Sequence, residues 1–396
     1  METSKYFTSD ETRFDKHVES LTPSQVNFVH LLKDWFCNRR NMLILISGGP
    51  GTGKTYTVIE TLKSASYNAV VMAPTARIAE KIGGKTLHST MKLAWGKGSE
   101  LKKIESELES ENDIKTCLEK SKSLLNCMNC TQFSNVVVMD EIGMVPFWMT
   151  YWIIKYFFNT NSRLLFIAMG DFRQLKPVKS QYNIFHVNFD DEFETHRIEL
   201  QESKRFTLEY QKIIENLRKL MDENNENKLL QYVSEVYPVV ENIDANILKD
   251  CNRVLAYNNK TVDLYNEYHM NQLLGTTYRF YKICNEKIDK SCKLDLKSGC
   301  EVVVTENIDF KNDDECYKII NGSVLRFEKY DNKKDVAICF NNYGKLIMVP
   351  RSPYSKMIPL VPNFAGTIHK FQGETLDMNG IVFNFNGCTD VNLIYT

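Results

Sequence analysis

Three things are missing from this 396-residue sequence, and each absence removes a class of function. It has no excess of either charge: forty-nine Lys and Arg stand against fifty Asp and Glu. No global basic footprint exists, so any nucleic-acid binding has to come from a local groove. It has no long hydrophobic run. The longest, such as Trp152-Ile153-Ile154 and Tyr156-Phe157-Phe158, are far too short to span a bilayer, and a soluble protein with no membrane partner is expected. It has no paired cysteine pattern. Eleven cysteines without a secretory signal are expected to be reduced thiols in an intracellular chain. The lone Cys127-x-x-Cys130 has neither a second pair nor paired histidines to complete a zinc site. Hydrophobic residues at 43% and charged residues at 25% are ordinary for a folded chain long enough for two or three cores.

What the sequence does contain is organised around Ser47-Gly48-Gly49-Pro50-Gly51-Thr52-Gly53-Lys54-Thr55. The apolar run Met42 to Ile46 precedes it and a helical spacing from Tyr56 to Leu62 follows. Strand, glycine-rich turn and helix form a phosphate-binding loop, whose inward N–H groups and helix N-terminus favour a triphosphate. Lys54 would reach the β- and γ-phosphates, and the Thr55 hydroxyl would ligate Mg2+.

Residues 1–20 are polar and expected to be loosely held. A helix follows from Thr22 as N-cap and Pro23 at its first position. Its Gln25 is either a solvated helix residue or an amide that pairs with an adenine edge. Ala69 to Ala73 reads as a buried strand ended by Pro74, then Thr75, Arg77, a helix and His88. Alternating strands and helices imply a parallel sheet with ligand loops at its carboxyl edge. Residues 96–131 break that rhythm and read as a polar helical insertion. Val136 to Met139 is a central strand ending in Asp140-Glu141, a pair suited to Mg2+ coordination and to polarising an attacking water. Leu164 to Met169 is another strand, followed by Gly170-Asp171-Phe172-Arg173-Gln174, with Gln174 expected near the γ-phosphate.

Leu200 to Phe206 reads as the crossover to a second half. Helical spacing covers 208–237, with a break at 222–228. Arg253 to Asn258 is a strand and turn. From about 297 to 350 the period becomes two, which predicts a small barrel-like β insertion. A polar block, Thr367-Ile368-His369-Lys370-Phe371-Gln372-Gly373, precedes a strand at 380–383, and a last strand is expected near Val391 to Tyr395. The fold class is therefore α/β, with domains at 1–200 and 201–396.

Together and in this order, the blocks resemble helicases of superfamily 1, in the RecD-like and Pif-type branch that moves 5′ to 3′. The resemblance runs from about Leu21 to the last residue. It implies two RecA-like motor domains that clamp ATP between them. It makes Gln25 the adenine motif and Lys54, Glu141, Gln174 and Arg205 the catalytic set, with Arg205 reaching the γ-phosphate from across the cleft. Thr55 and Asp140 hold Mg2+, and Gln372 and Gly373 couple nucleotide to the strand. Pro74, Thr75, Arg77, His88, Thr367 and His369 contact single-stranded DNA at junctions. The implied protein is a monomer of the nucleus or cytoplasm, with a loading or activating protein as a possible partner. Three departures stand out: Phe371 replaces a small residue, Gly143 replaces a serine, and the family's second arginine finger would lie beyond Thr396. The last leads to the expectation that this chain binds ATP and DNA but turns over slowly. The alternative is a partner-dependent nucleic-acid-binding ATPase without autonomous unwinding.

Overall fold

The computed structural model describes residues 11–94, 99–109, 111, 113–174, 177, 182, 184–189, 192–223, 225–238, 243–284, 287–311, 316–371, 380–385 and 388. They divide into two compact units, one within Met1–Pro238 and one within Val239–Thr389. Residues 201–238, read from sequence as the start of the second half, thus belong to the first unit. No helix among the described residues is long and apolar enough to cross a membrane.

The first unit opens with α1 (Glu11–Glu19), a helix where a loosely held segment was expected. Phe14, Val18 and Leu21 recur at helical spacing and pack on Val29 and Ala65, which holds this polar segment in place. In α2 (Pro23–Asn38) the Thr22 backbone N–H donates to the Gln25 side-chain oxygen at 2.9 Å, a capping contact that starts the helix. Then come β1 (Met42–Gly48), α3 (Lys54–Ser64), β2 (Val70–Ala73), α4 (Ala76–Lys81), β3 (Lys85–Thr86) and α5 (Leu87–Met91). The insertion forms α6 (Glu100–Leu108), α7 (Ile114–Lys120) and α8 (Leu124–Cys127). The unit closes with β4 (Val136–Met139), α9 (Phe147–Thr160), β5 (Leu165–Gly170), β6 (Glu194–Leu200), α10 (Leu208–Asp222) and α11 (Glu226–Val236).

These strands form one six-stranded sheet in the order β3-β2-β4-β5-β1-β6, every pairing parallel. Helices cover both faces, so strand side chains are buried on either side. In β1, Leu43 and Leu45 enter one core with Trp148, Trp152 and Ile153 of α9. Met42, Ile44 and Ile46 enter the other, with Phe28, Leu32 and Trp35 of α2 and Val58 of α3. The insertion is polar on one side only. Leu101, Ile104, Leu108 and Leu124 join the α9 core. Burial at about 1.5–3 kcal/mol for each large aliphatic side chain binds these helices to the body. Strand β6 has no sequence signature: as an edge strand it alternates polar residues and buries only Ile198 and Leu200.

In the second unit, α12 (Ala245–Lys249), β7 (Arg253–Ala256) and α13 (Asn259–Gln272) precede a β-rich excursion. It comprises β8 (Thr277–Cys284), β9 (Lys287–Lys297), β10 (Glu301–Val304), β11 (Ile308–Lys311), β12 (Cys316–Ile319), β13 (Val324–Asp331), β14 (Val336–Phe340), β15 (Leu346–Pro350) and β16 (Leu360–Pro362). Five of these make an antiparallel sheet, β15-β14-β13-β10-β16, while β8-β9 and β11-β12 pair separately. The excursion starts earlier and ends later than the sequence pattern suggested. Its core takes in Phe280 and Leu296 from the β8-β9 hairpin. The chain then returns through β17 (Ala365–Thr367), α14 (Ile368–Phe371) and β18 (Ile381–Asn384). β17 and β18 flank β7 in a three-stranded parallel sheet.

Candidate active site

Parallel strands end on the same side, so the loops after them share one rim. Across the first sheet this rim carries His88 beyond β3, Pro74-Thr75 after β2, and Asp140-Glu141 after β4. Asp171 to Gln174 follows β5, the phosphate loop follows β1, and Gln201 to Phe206 follows β6.

The phosphate loop is held from several directions. Gly51 and Gly53 have φ of 76° and 77°, the left-handed region that favours glycine. The Lys54 ammonium donates to the carbonyls of Gly48 and Gly49 at 2.9 and 3.4 Å. Thr52 Oγ1 donates to the Gly49 carbonyl at 2.9 Å. A methyl on Gly48 would lie 2.6 Å from Thr52 Oγ1, so the turn has no room for one. Gln25, read as solvated or as an adenine contact, is buried. Its Nε2 donates to the Thr52 carbonyl at 2.9 Å while its oxygen caps Thr22. The amide thus braces the loop; by valence it keeps one lone pair and one N–H for a ligand.

Thr55 Oγ1 donates to Asp140 Oδ2 at 2.7 Å, joining the first turn of α3 to the end of β4. Asp140 is almost wholly buried, and burial raises its pKa against the opposing Thr55 bond, the Glu141 N–H and the Lys54 charge. Glu141 adopts φ of 50°, a strained conformation for a residue with a side chain. Burial first, then the neighbouring Asp140 charge, pushes its carboxyl up to about 7, with Asp171 adding and Lys54 opposing. A carboxylate poised near neutrality suits general-base work. Thr55 and Asp140 offer oxygen donors only, the hard set that fits Mg2+.

Arg205 lies in the first unit, beside the phosphate loop. A methyl on Gly51 would lie 2.7 Å from Ser203 Oγ, 2.8 Å from Phe206 and 3.0 Å from Arg205 Cβ. Residues 201–206 therefore form a strap against that loop. Glu202 fastens it, accepting from Thr22 Oγ1 at 3.1 Å and from Ser24 Oγ, and these bonds, Ser24 foremost, lower its pKa. Lys204 donates to the Ser20 carbonyl. Gln211 Nε2 donates to the carbonyls of Ser203 and Phe206, each at 2.8 Å. Sequence reasoning missed Glu202, Ser24 and Gln211. Glu202 and Ser24 meet across 178 positions of sequence and Gln211 binds only backbone carbonyls, so neither kind of contact leaves a local pattern to find.

The remaining residues spread along two edges. Thr75 caps α4, accepting from the Ile78 N–H at 3.3 Å, and Arg77 lies in the first turn of that helix. His88 is half-buried; burial lowers its pKa and Glu105 of α6 opposes this. Gly143 approaches the rim closely, since a methyl there would lie 3.2 Å from the Asp171 carbonyl. In the second unit, Thr367 ends β17, paired with Ala256, and His369 follows in α14, at the carboxyl edge of the small sheet. Phe371 packs on the bare backbone of Gly366, where a methyl would lie 2.4 Å from its ring. Gln372, Gly373 and the expected strand at 391–395 lie outside the described residues. The first unit thus gathers Gln25, residues 48–55, Asp140, Glu141 and Arg205, with Gln174 at the next strand end. Thr367 and His369 form a separate pair in the second.

A family model described as AAA domain matches residues 21–236, more than half of the chain. The "ATP-dependent DNA helicase Pif1" of Campylobacter jejuni is 25% identical over 84% of this chain and 81% of its own length. The chain belongs to the AAA-domain family, among the Pif1-type helicases of superfamily 1. The Pif1 helicase of Bdellovibrio bacteriovorus is 23% identical over 91% of this chain and 81% of its own. Among solved structures, Bacteroides Pif1 in complex with ADP-AlF3 and ssDNA superposes with a TM-score of 0.61 at 20% identity. It covers 95% of this chain and 89% of that one. Candida albicans Pif1 gives a TM-score of 0.57 at 19% identity, over 95% and 91%. The Pif1-type architecture, an α/β pair of parallel sheets with an antiparallel β insertion in the second unit, is the one expected from the motif order.

Proposed function

We propose that this chain is an ATP-dependent DNA helicase that moves 5′ to 3′ on a single strand. One observation carries the reading: the 2.7 Å bond between Thr55 and Asp140, with Glu141 next to it at a pKa pushed up to about 7. It joins a phosphate-binding loop to a base on one rim.

Lys54 binds the β- and γ-phosphates of ATP, and Gln25 offers its remaining amide valences to the adenine. Thr55 and Asp140 would hold Mg2+, which when bound would draw charge from the phosphates. Glu141 takes a proton from the water attacking the γ-phosphorus. A water oxygen–phosphorus bond forms, the bond from the γ-phosphorus to the bridging oxygen breaks, and ADP and phosphate leave. Arg205 stabilises charge developing on the γ-phosphoryl group, and Gln174 orients the water. Pro74, Thr75, Arg77, His88, Thr367 and His369 contact the strand through its phosphates and bases, a mode that tolerates any sequence. Gln372 and Gly373 are assigned to nucleotide coupling by motif alone.

The test is steady-state ATPase with and without single-stranded DNA, alongside duplexes tailed at the 5′ or the 3′ end. DNA-stimulated hydrolysis and unwinding of the 5′-tailed duplex alone are expected. Stimulation by RNA and not by DNA would replace the reading with an RNA-remodelling ATPase.

A further inference from the structure

Gln174 sits in a turn that closes on Asp171. The Arg173 N–H donates to Asp171 Oδ1 at 3.1 Å, and the Gln174 N–H to the Asp171 carbonyl at 3.2 Å. Whatever displaces Gln174 in this turn displaces Arg173 with it. The Arg173 guanidinium lies 4.1 Å from the centre of the Phe172 ring. Its Nε and Nη2 donate to the two carboxylate oxygens of Asp222 at 2.9 Å each, and Nη1 donates to Glu199 Oε1 at 3.3 Å. The same Glu199 oxygen accepts from Arg218 Nη2 at 2.7 Å. One planar group thus links the loop after β5 to β6 and to the last residue of α10. The chain runs from α10 into α11, which ends at Val236, two residues before the first unit does at Pro238.

A bidentate guanidinium–carboxylate pair fixes direction as well as distance, which a lysine does not reproduce. The acids are largely exposed, at 53% for Asp222 and 44% for Glu199. The Arg173 side chain is itself only 12% exposed, while its acids stay open to water and screening, so the pair adds little to stability and what it supplies is register.

We infer that Arg173 is a positioning residue that couples the Gln174 turn to the α10–α11 hairpin, and so to the helices through which the chain continues into its second unit. The inference rests on the proposed placement of Gln174 by the γ-phosphate. Neither Arg173 nor Asp222 touches nucleotide or strand in that proposal.

A demonstrated coupling, and not spatial adjacency, is what such a link requires. The full chain is compared as wild type, Arg173→Ala, Asp222→Ala, the double variant and Arg173→Lys. Two readouts are taken: DNA stimulation of ATPase relative to the basal rate, and hydrogen exchange of α10 with and without a non-hydrolysable ATP analogue. Each alanine variant should bind the analogue and hydrolyse ATP basally within about twofold of wild type. DNA stimulation should fall about fivefold or more. The double variant should lose no more than either single, since the pair acts as a unit. Arg173→Lys should recover only part of the loss. The analogue should alter α10 exchange in wild type and not in Arg173→Ala. Additive losses, or α10 exchange that responds equally with and without Arg173, would overturn the inference. If wild type shows no DNA stimulation but α10 still responds through Arg173, the helicase reading fails and the coupling stands.

Discussion

The two parallel sheets are finished differently at their carboxyl edges. On the six-stranded sheet, the loops bind one another: Gln25 holds Thr52, Thr55 holds Asp140, Glu202 holds Thr22 and Ser24, and Arg173 holds Asp222. On the three-stranded sheet, the side-chain ties among the described residues run from the strands back to α13. Asn266 donates to the Ala365 carbonyl at 3.1 Å and accepts from its N–H at 2.8 Å, and Asn384 donates to the Tyr265 hydroxyl at 2.9 Å. The first edge is preorganised group by group, as charge stabilisation in a transition state demands. The second is a light frame that presents a short helix with His369 and Lys370. The proposed function places the chemistry on the first edge and assigns strand contacts to residues of each.

The largest effect should break the first edge alone. Arg205→Ala is expected to slow ATP hydrolysis by about 10³–10⁵, the usual worth of an arginine at a transferring phosphoryl group, while ATP affinity changes little. Single-turnover hydrolysis measures it. A loss below tenfold would remove Arg205 from the chemistry and leave it as part of the strap.

Strand-side substitutions should sort the two edges. Arg77→Ala and His369→Ala are each expected to weaken single-stranded DNA binding at unchanged nucleotide affinity. Loss of a phosphate-contacting arginine also lowers the salt slope by about one unit. Fluorescence anisotropy over a salt series reads both. Unchanged affinity and slope in Arg77→Ala would take it off the strand path.

The smallest effect is a pH dependence of stability that sharpens the electrostatic difference. Glu141 has its folded pKa raised to about 7 from 4.5, so the folded state holds the proton more tightly than the unfolded one. Its contribution is therefore full below pH 4.5 and is lost as pH rises towards 7. Asp140 shifts in the same direction. Glu141→Gln should therefore raise Tm at pH 8 and leave it nearly unchanged at pH 4, without nucleotide. Equal gains at both values would mean that the carboxyl is not strained by its charge.

How much of this was legible beforehand differs along the chain. The phosphate loop and Asp140-Glu141 could be read because an apolar strand points straight at each. Strand β6 and helix α1 could not, since an edge strand and a covering helix are allowed to be polar. The β8-β9 hairpin left a trace in Tyr278 and Phe280 alternating with Arg279, but it fell outside the span read as β-rich. Arg205 was assigned to the second half, whereas it lies in the first unit, beside Gly51 of the phosphate loop. With β6 illegible, sequence shows only an arginine in a polar crossover, and the contacts of Gly51 show which loop the strap lies against. Gln25 illustrates the same limit, because a side chain that braces its own chain looks like one waiting for a ligand.

Glu141 as the base is the centre of the proposed chemistry. The decisive measurement is single-turnover hydrolysis of labelled ATP by wild type and Glu141→Gln, with saturating single-stranded DNA and bound nucleotide quantified in parallel. Both are expected to bind ATP; wild type should convert it, and the variant should convert it more slowly by about 10²–10⁴. Conversion by Glu141→Gln at the wild-type rate would contradict that role.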